Sequence, residues 1–159
     1  MFGPVPDVPP GSVFADRHEL REAGVHRPIR AGICGRADEG AESVVLSGGY
    51  VDDEDSGRVV IYTGAGGNDP ASGRQVADQT LTRTNRALVE NLRTGRPVRV
   101  VRGAHPDVHD APPSGYRYDG LYRVADYWAE TGRDGFRVWR FRLEQLGEDG
   151  AQRRRAEAG

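Results

Sequence analysis

Tyr50, Asp53 and Tyr62 are the residues whose types and spacing point to chemistry. They fall in Ser43-Val-Val-Leu-Ser-Gly-Gly-Tyr50, the acidic stretch Val51-Asp-Asp-Glu-Asp-Ser-Gly57, and Arg58-Val-Val-Ile-Tyr-Thr63-Gly-Ala-Gly-Gly67. Two β-branched runs around a loop ending in Asp-Ser-Gly predict a hairpin with a long connection. Side chains alternate along a strand, so Val59 and Ile61 are expected to pack inward and Tyr62 to lie on the other face beside Val60. Tyr50 closes the first strand. Two phenol rings then face a common space with a carboxylate at its edge, which suits a flat, apolar ligand with hydrogen-bonding edges. A nucleobase is such a ligand, since an extruded base is stacked on aromatic rings and read along its polar edge. Strand tyrosines are also ordinary packing residues, and acidic loops are ordinary solvated turns.

The elements that must position these residues follow from local signals. Residues 2–11 are proline-rich and are expected to run extended into the domain. Asp16-x-x-Glu19 opens a short helix, and Gly24 stops it. Pro28 forces extension, and Ala31 to Cys34 form a strand. A second helix is predicted from about Asp78 to Arg93, with Leu81, Leu88 and Leu92 on one stripe and Gly95 and Pro97 ending it. Val98 to Val101 reads as a strand whose arginines alternate outward. Ala104 to Gly115 is a proline-containing loop. Tyr118 to Tyr127 and Phe136 to Leu143 are strands joined by Thr131-Gly-Arg-Asp-Gly135, and residues 147–159 form a polar, flexible tail. Several short strands and two helices make an α+β single domain.

Composition narrows the chemistry. The chain has 159 residues, a size for one domain with a real core. No apolar run approaches the ~20 residues of a membrane span and no signal-peptide pattern opens the chain, so a cytoplasmic protein is the default. The single cysteine, Cys34, excludes an internal disulfide and a cysteine-rich zinc cluster. All 22 basic residues are arginine, which removes P-loop, Schiff-base and lysine-dependent nuclease chemistry. Net charge is −2 and the pI about 6.1, yet Arg83, Arg86, Arg93, Arg96, Arg99 and Arg102 place a local basic face on an acidic whole. Gly64-Ala-Gly-Gly67 lacks the spacing of a phosphate loop, so its glycines are read as allowing close backbone approach. His105-Pro-Asp-Val-His109-Asp110 has a metal-like spacing but no clear third ligand, and no metal or other cofactor is expected. His26 is read as structural. A zinc deaminase needs more cysteines, and Cys34 does not follow a proline as a cytosine-methyltransferase nucleophile would. No catalytic residue is assigned.

Along nearly the whole chain the order of short segments resembles one family. These are Phe2-Gly-Pro-Val-Pro6, Gly24-Val-His-Arg-Pro28, Ala31-Gly-Ile-Cys-Gly-Arg36, Leu46-Ser-Gly-Gly-Tyr50, Tyr62-Thr-Gly-Ala-Gly-Gly67, Leu81-Thr-Arg-Thr-Asn-Arg-Ala87, Pro97-Val-Arg-Val-Val-Arg102, Tyr116-Arg-Tyr-Asp-Gly-Leu-Tyr122 and Gly135-Phe-Arg-Val-Trp139. Together, over residues 1–146, they resemble the SRA domain (SET- and RING-associated, or YDG after Tyr118-Asp119-Gly120). The resemblance implies a PUA-like twisted β-barrel with flanking helices. It also implies binding of duplex DNA that carries 5-methylcytosine, with the modified base flipped into a pocket.

By the same resemblance Tyr50 and Tyr62 stack on the base, Asp53 accepts a hydrogen bond from its exocyclic amine, and backbone at Thr63 and Gly64 meets its oxygen edge. Gly32, Ser47 and Gly49 leave room for the methyl group. Two loops enter the duplex in this family, and here they depart from the vertebrate pattern. Arg30 stands where vertebrate members have an apolar residue. The second loop, Asn68 to Val76, is shorter and carries Gly73-Arg74-Gln75 in place of Asn-Lys-Arg, so Arg30, Arg74 and Gln75 are the candidate duplex contacts. The expected protein is a stand-alone bacterial reader of modified cytosine, nucleoid-associated when bound, with little strand or CpG restriction. The alternative is the specificity part of a modification-dependent restriction endonuclease, with a nuclease partner elsewhere.

Overall fold

The computed structural model describes residues 1–46, 53–106, 108 and 111–147. In chain order its elements are β1 (Val13–Phe14), α1 (Arg17–Glu22), β2 (Ile33–Arg36), β3 (Gly40–Leu46), β4 (Glu54–Asp55), β5 (Val59–Thr63), α2 (Arg83–Thr94), β6 (Val98–Gly103), β7 (Tyr116–Thr131) and β8 (Arg137–Gln145). The fold is α+β, one eight-stranded sheet with few helices. Among the described residues no helix is long and apolar enough to cross a membrane.

Local chemistry sets the helix ends. Asp16 accepts from the Glu19 amide at 2.9 Å at the start of α1. At its end Gly24 takes φ +77, with Val25 N–H bonded to Leu20 O and Gly24 N–H to Arg21 O, the paired closure of a Schellman motif. α2 begins at Arg83 instead of about Asp78. Asp78 and Gln79 are used as extended chain against β8: the Gln79 amide bonds Arg137 O, Asp78 accepts from Arg137 N–H, and Gln79 Oε1 accepts from Trp139 N–H. A helix there would break all three. Gly95 ends α2 in the left-handed region, as expected.

The strand order is β2-β3-β6-β7-β8-β5-β4, with β1 on β7; β3 and β6 run parallel and the other pairs antiparallel. The predicted hairpin is therefore corrected. β3 pairs with β2 and β6, whereas β5 pairs with β8 and the short β4. The predicted faces of β5 are also reversed: Val60 and Tyr62 are buried, and Val59 and Ile61 are half-buried. The phase is set by β8, where Val60 meets Leu143 and Tyr62 meets Phe141, both fully buried. Local sequence holds no trace of that register.

Alternation divides the core. Val44, Leu46, Val98 and Val100 join Val60, Tyr62, Phe141 and the α2 residues Ala87 and Leu88. Val45 and Val101 pack with Leu20, Val25 and Tyr118, with Val5 and Val8 against them. The N-terminal segment is thus part of the body, as expected, but turns closed by Val8 N–H to Val5 O and Ser12 N–H to Pro9 O break the extended course read for it. Arg99 and Arg102 do not point outward. Arg99 is buried and donates to the carbonyls of Val25, Met1 and Gly3, while Arg102 is buried among carboxylates.

The sheet is not closed into a barrel by hydrogen bonds, which corrects that part of the expected fold: β2 and β4 are its edges, with no ladder between them among the described residues. It curls enough for side chains to cross the gap. Arg102 on β6 reaches Asp55 on β4 at 2.7 Å, and the Tyr62 hydroxyl on β5 donates to Gly32 O, just ahead of β2, at 3.3 Å.

Candidate functional site

Where the two arms of the sheet approach, a cavity of about 320 Å³ opens between Tyr62, Asp53, Gly32 and Val45, with Arg17, Arg30, Asn68 and Thr84 around it. Its size lies in the ~300–1,000 Å³ range of small-ligand sites. Tyr62 forms an aromatic wall. Gly32 keeps this wall close to the ring, because a Cβ there would sit a tight 3.1 Å from the Tyr62 hydroxyl. A larger cavity, about 620 Å³, lies elsewhere beside Cys34 and Glu42. Its carboxylate is already taken by Arg27 at 2.7 Å and by the Cys34 thiol at 3.2 Å.

The acidic stretch is anchored residue by residue. Asp53 Oδ1 accepts from the Thr63 amide at 2.6 Å, Glu54 pairs with the buried Arg140 at 2.8 Å, and Asp55 receives two bonds from Arg102, at 2.7 and 2.8 Å. Burial alone would raise the Asp55 pKa, but the hydrogen bonds from Arg102 and from the Gly57 amide hold it below the ordinary value. Arg102 also donates to Asp119 at 2.8 Å and to Gly57 O at 3.1 Å. A solvated turn would show none of these partners.

The glycine segment after β5 is fixed by side-chain amides. Asn85, on the first turn of α2, accepts from Ala65 N–H at 2.7 Å and donates to Ala65 O and Thr80 O at 2.9 Å. Gln79 donates to Gly64 O at 2.6 Å and Gln75 to Gly66 O at 3.0 Å. Gly64 has no room for a Cβ, which would lie 2.7 Å from Asn85 Oδ1, and Gly67 takes φ +74. The close backbone approach read from these glycines is what the fold uses.

Behind the Ala31–Gly32 wall, His26 is fully buried, with Nδ1 2.7 Å from the Ser43 hydroxyl and Nε2 2.8 Å from Ala31 O. A carbonyl only accepts, so Nε2 carries the proton and Nδ1 accepts from Ser43. Burial lowers the His26 pKa from 6.5 to about 4, keeping the ring neutral. Arg17 donates to the same Ala31 carbonyl at 2.6 Å. The chain just before Gly32 is thus held from two sides, and Arg30 extends exposed beyond it.

Of the residues read from sequence, Gly32, Asp53, Tyr62 and Arg30 come together around the cavity. Ser47, Gly49 and Tyr50 lie outside the described residues, as do His109 and Asp110 of the metal-like spacing. Thr63 and Gly64 adjoin the site, but their amides are committed, Thr63 N–H to Asp53 and Gly64 N–H to Trp139 O at 2.7 Å. Arg74 is exposed on a loop that closes on itself through Asp69 and Gly73. Gln75 is buried, and its side chain holds Gly66 and Ala77 carbonyls, so in this structure it stabilises the loop and does not project from it. Arg17, Asn85 and Arg140 were not singled out by sequence, because each acts through a partner distant along the chain; Arg102 was read only as part of a basic face, and Thr84 reaches the cavity through the placement of α2. Of the expected basic face, Arg83, Arg86, Arg93 and Arg96 remain exposed on and beyond α2, whose first turn adjoins the cavity at Thr84.

Comparison with known proteins places this arrangement. Residues 1–149 match the SAD/SRA domain. The chain is 46% identical over 164 residues to the E3 ubiquitin-protein ligase UHRF1 of Rattus norvegicus, matching 91% of this chain but 21% of that protein, about a fifth of its length. It superposes on a modification-dependent TagI restriction endonuclease with a TM-score of 0.89 at 45% identity, covering 92% of this chain and 53% of the other. The SUVH5 SRA domain, solved in a complex with methylated CHH DNA, gives a TM-score of 0.76 at 40% identity, covering 92% and 94%. The nine sequence segments, the curled sheet and these matches agree, and the chain belongs to the SAD/SRA domain family.

Proposed function

We propose that this chain is a DNA-binding module that recognises methylated cytosine in duplex DNA by drawing the base into the Tyr62–Asp53 cavity. The observation that carries the reading is the cavity itself: an aromatic wall, a fixed carboxylate and a glycine whose Cβ would crowd the Tyr62 hydroxyl, edged by Arg17 and Arg30. Likeness to a domain solved with methylated DNA supports the ligand class. Tyr62 stacks on the base, a contact that contributes about 1–3 kcal/mol, and Tyr50 supplies the second ring. A carboxylate has about four acceptor positions, so Asp53 accepts from the cytosine amine while the Thr63 amide holds it in place. Thymine presents a carbonyl at that edge and is repelled. Ser47 and Gly49 complete the wall, and Arg74 lies against the duplex. The PUA-like description fits a curled sheet whose arms are joined by side chains.

Arginine at position 30 hydrogen-bonds phosphates or base edges in any sequence context. Hemimethylated and fully methylated duplexes are therefore expected to bind within about tenfold, or 1.4 kcal/mol, and sites outside CpG to be accepted. Competition titrations with matched duplexes test this. A hemimethylated preference far above tenfold would show that the Arg74 loop reads the partner strand.

A second reading is favoured by the TagI likeness, which covers about half of that endonuclease: the module directs a nuclease supplied by a partner. The purified chain alone, incubated with methylated DNA and magnesium or manganese, is expected to leave the DNA intact. Cleavage would move the activity into this chain.

A further inference from the structure

We propose that Asp119, Arg102 and Tyr122 act as positioning residues that set the place of Asp53, so that the Tyr118-Asp119-Gly120 motif serves the pocket without touching its ligand. This rests on the pocket reading above. β4 is two residues long and lies at the sheet edge, and among the described residues its ladder consists of Glu54 with Ile61 and Asp55 with Val60. A strand that short is weakly held by its ladder. Besides the Glu54–Arg140 pair and the bond from the Thr63 amide to Asp53, the segment is held from β6, on the other arm of the sheet, with β7, β8 and β5 between them in strand order. Arg102 is 3% exposed and spends its guanidinium on both oxygens of Asp55, on Gly57 O and on Asp119. Asp119 is fixed in turn by Arg117, whose Nε donates at 2.5 Å. The Tyr122 hydroxyl donates to Gly57 O at 2.6 Å. Asp55 and Gly57 therefore cannot shift without breaking charged, buried bonds, and Asp53 is two residues upstream of that anchor. None of Arg102, Asp119 and Tyr122 lines the cavity.

Burial makes the fork specific: a guanidinium meets a carboxylate through two parallel bonds, a geometry that a lysine ammonium does not reproduce. Loosening the anchor lets Asp53 drift from the base amine. The consequence is lost discrimination between modified and unmodified cytosine, while arginine–phosphate contacts, which hold any duplex, are unchanged.

The test compares Asp55→Asn, Asp119→Asn and Tyr122→Phe with wild type, and takes Arg123→Ala as control, since Arg123 forms an exposed pair with Glu144 on the β7–β8 ladder. For each, affinities for a methylated and an unmodified duplex of one sequence are measured at one salt concentration, with circular dichroism to confirm the fold. The expected result is a fall of about tenfold in the methylated-to-unmodified affinity ratio for the two Asp variants, affinity for unmodified DNA kept within about twofold, and a smaller fall for Tyr122→Phe. The control keeps the wild-type ratio. Folded variants that retain the ratio, or that lose both affinities equally, overturn the positioning role. If the Asp variants do not fold, Tyr122→Phe decides, because it removes one hydroxyl and keeps the ring: an unchanged ratio there overturns it. A wild-type ratio near one would instead sink the pocket reading itself.

Discussion

At the scale of single residues, the chemistry of the site depends on placing an acceptor and a ring against one flat ligand. Asp53 does two things, holding the Thr63 amide and facing the cavity. Asp53→Asn separates them, since the carboxamide oxygen can still accept from Thr63 while its NH2 faces a base amine with a second donor. The expected outcome is a methylated-DNA affinity about tenfold lower or more, at a near-normal melting temperature, checked by fluorescence anisotropy and thermal melting. Gly32→Ala probes the facing wall. Its methyl group would press on the Tyr62 hydroxyl at 3.1 Å, so affinity for methylated DNA is expected to fall about tenfold with stability changed by less than ~1 kcal/mol. An unchanged affinity would mean that the ring can give way. Tyr62 and Gly32 could be picked out in the sequence because each lies in a family-like segment, and Asp53 and Arg30 because each stands between two such segments. Arg17 was not, because its place beside the cavity is made by the fold that brings the start of α1 to Ala31.

Among the elements, strands and helices were readable where their ends carry local signals, as with Asp16 and Gly24 around α1 and Gly95 after α2. Pairing was not. The runs on either side of the acidic stretch have hairpin chemistry, yet β3 and β5 belong to opposite arms of the sheet. What separates them is long-range: β5 finds Leu143 and Phe141 on β8, and Arg102 seizes Asp55 from across the sheet. Arginines interleaved with valines in a strand look solvent-facing in sequence, and only burial beside specific carbonyls and carboxylates shows Arg99 and Arg102 to be internal fasteners. The same applies to Asn85, a helix residue that ties α2 to the glycine segment following β5. Asn85→Ala leaves three backbone groups without their partner. At about 1–3 kcal/mol per buried unsatisfied group, relieved in part by water, a loss of roughly 3 kcal/mol is expected in chemical denaturation. A loss below ~1 kcal/mol would show that water or a shift of the loop satisfies them.

For the whole molecule, net charge and fold make separate demands. The chain carries −2 overall, so DNA must be met by a local arginine face around the cavity and α2. Binding is then expected to weaken steeply with salt, since arginine–phosphate contacts release counterions. A flat salt dependence would deny such a face. Acid should weaken the fold through His26. Its folded pKa is about 4 and its ordinary value 6.5, so the unfolded chain takes up a proton while the folded chain does not. Stability is therefore complete above about pH 6.5 and is lost as pH falls toward 4, by up to about 3 kcal/mol from this group. Melting temperatures measured from pH 8 to 4 should decline across that window, and His26→Gln should flatten the decline. An equally steep fall in the variant would assign the acid sensitivity to carboxylates.

The central claim is that the modified base leaves the helix and enters the cavity beside Tyr62. A duplex with 2-aminopurine next to the methylated cytosine reports this directly, because extruding a base unstacks its neighbour and raises the fluorescence. At saturating protein, emission is predicted to rise on the methylated duplex, to rise much less on the unmodified duplex of the same sequence, and to stay near the free-duplex level with Tyr62→Leu even when that variant binds. Saturated binding of methylated DNA by the wild-type chain with no rise in emission would contradict the account.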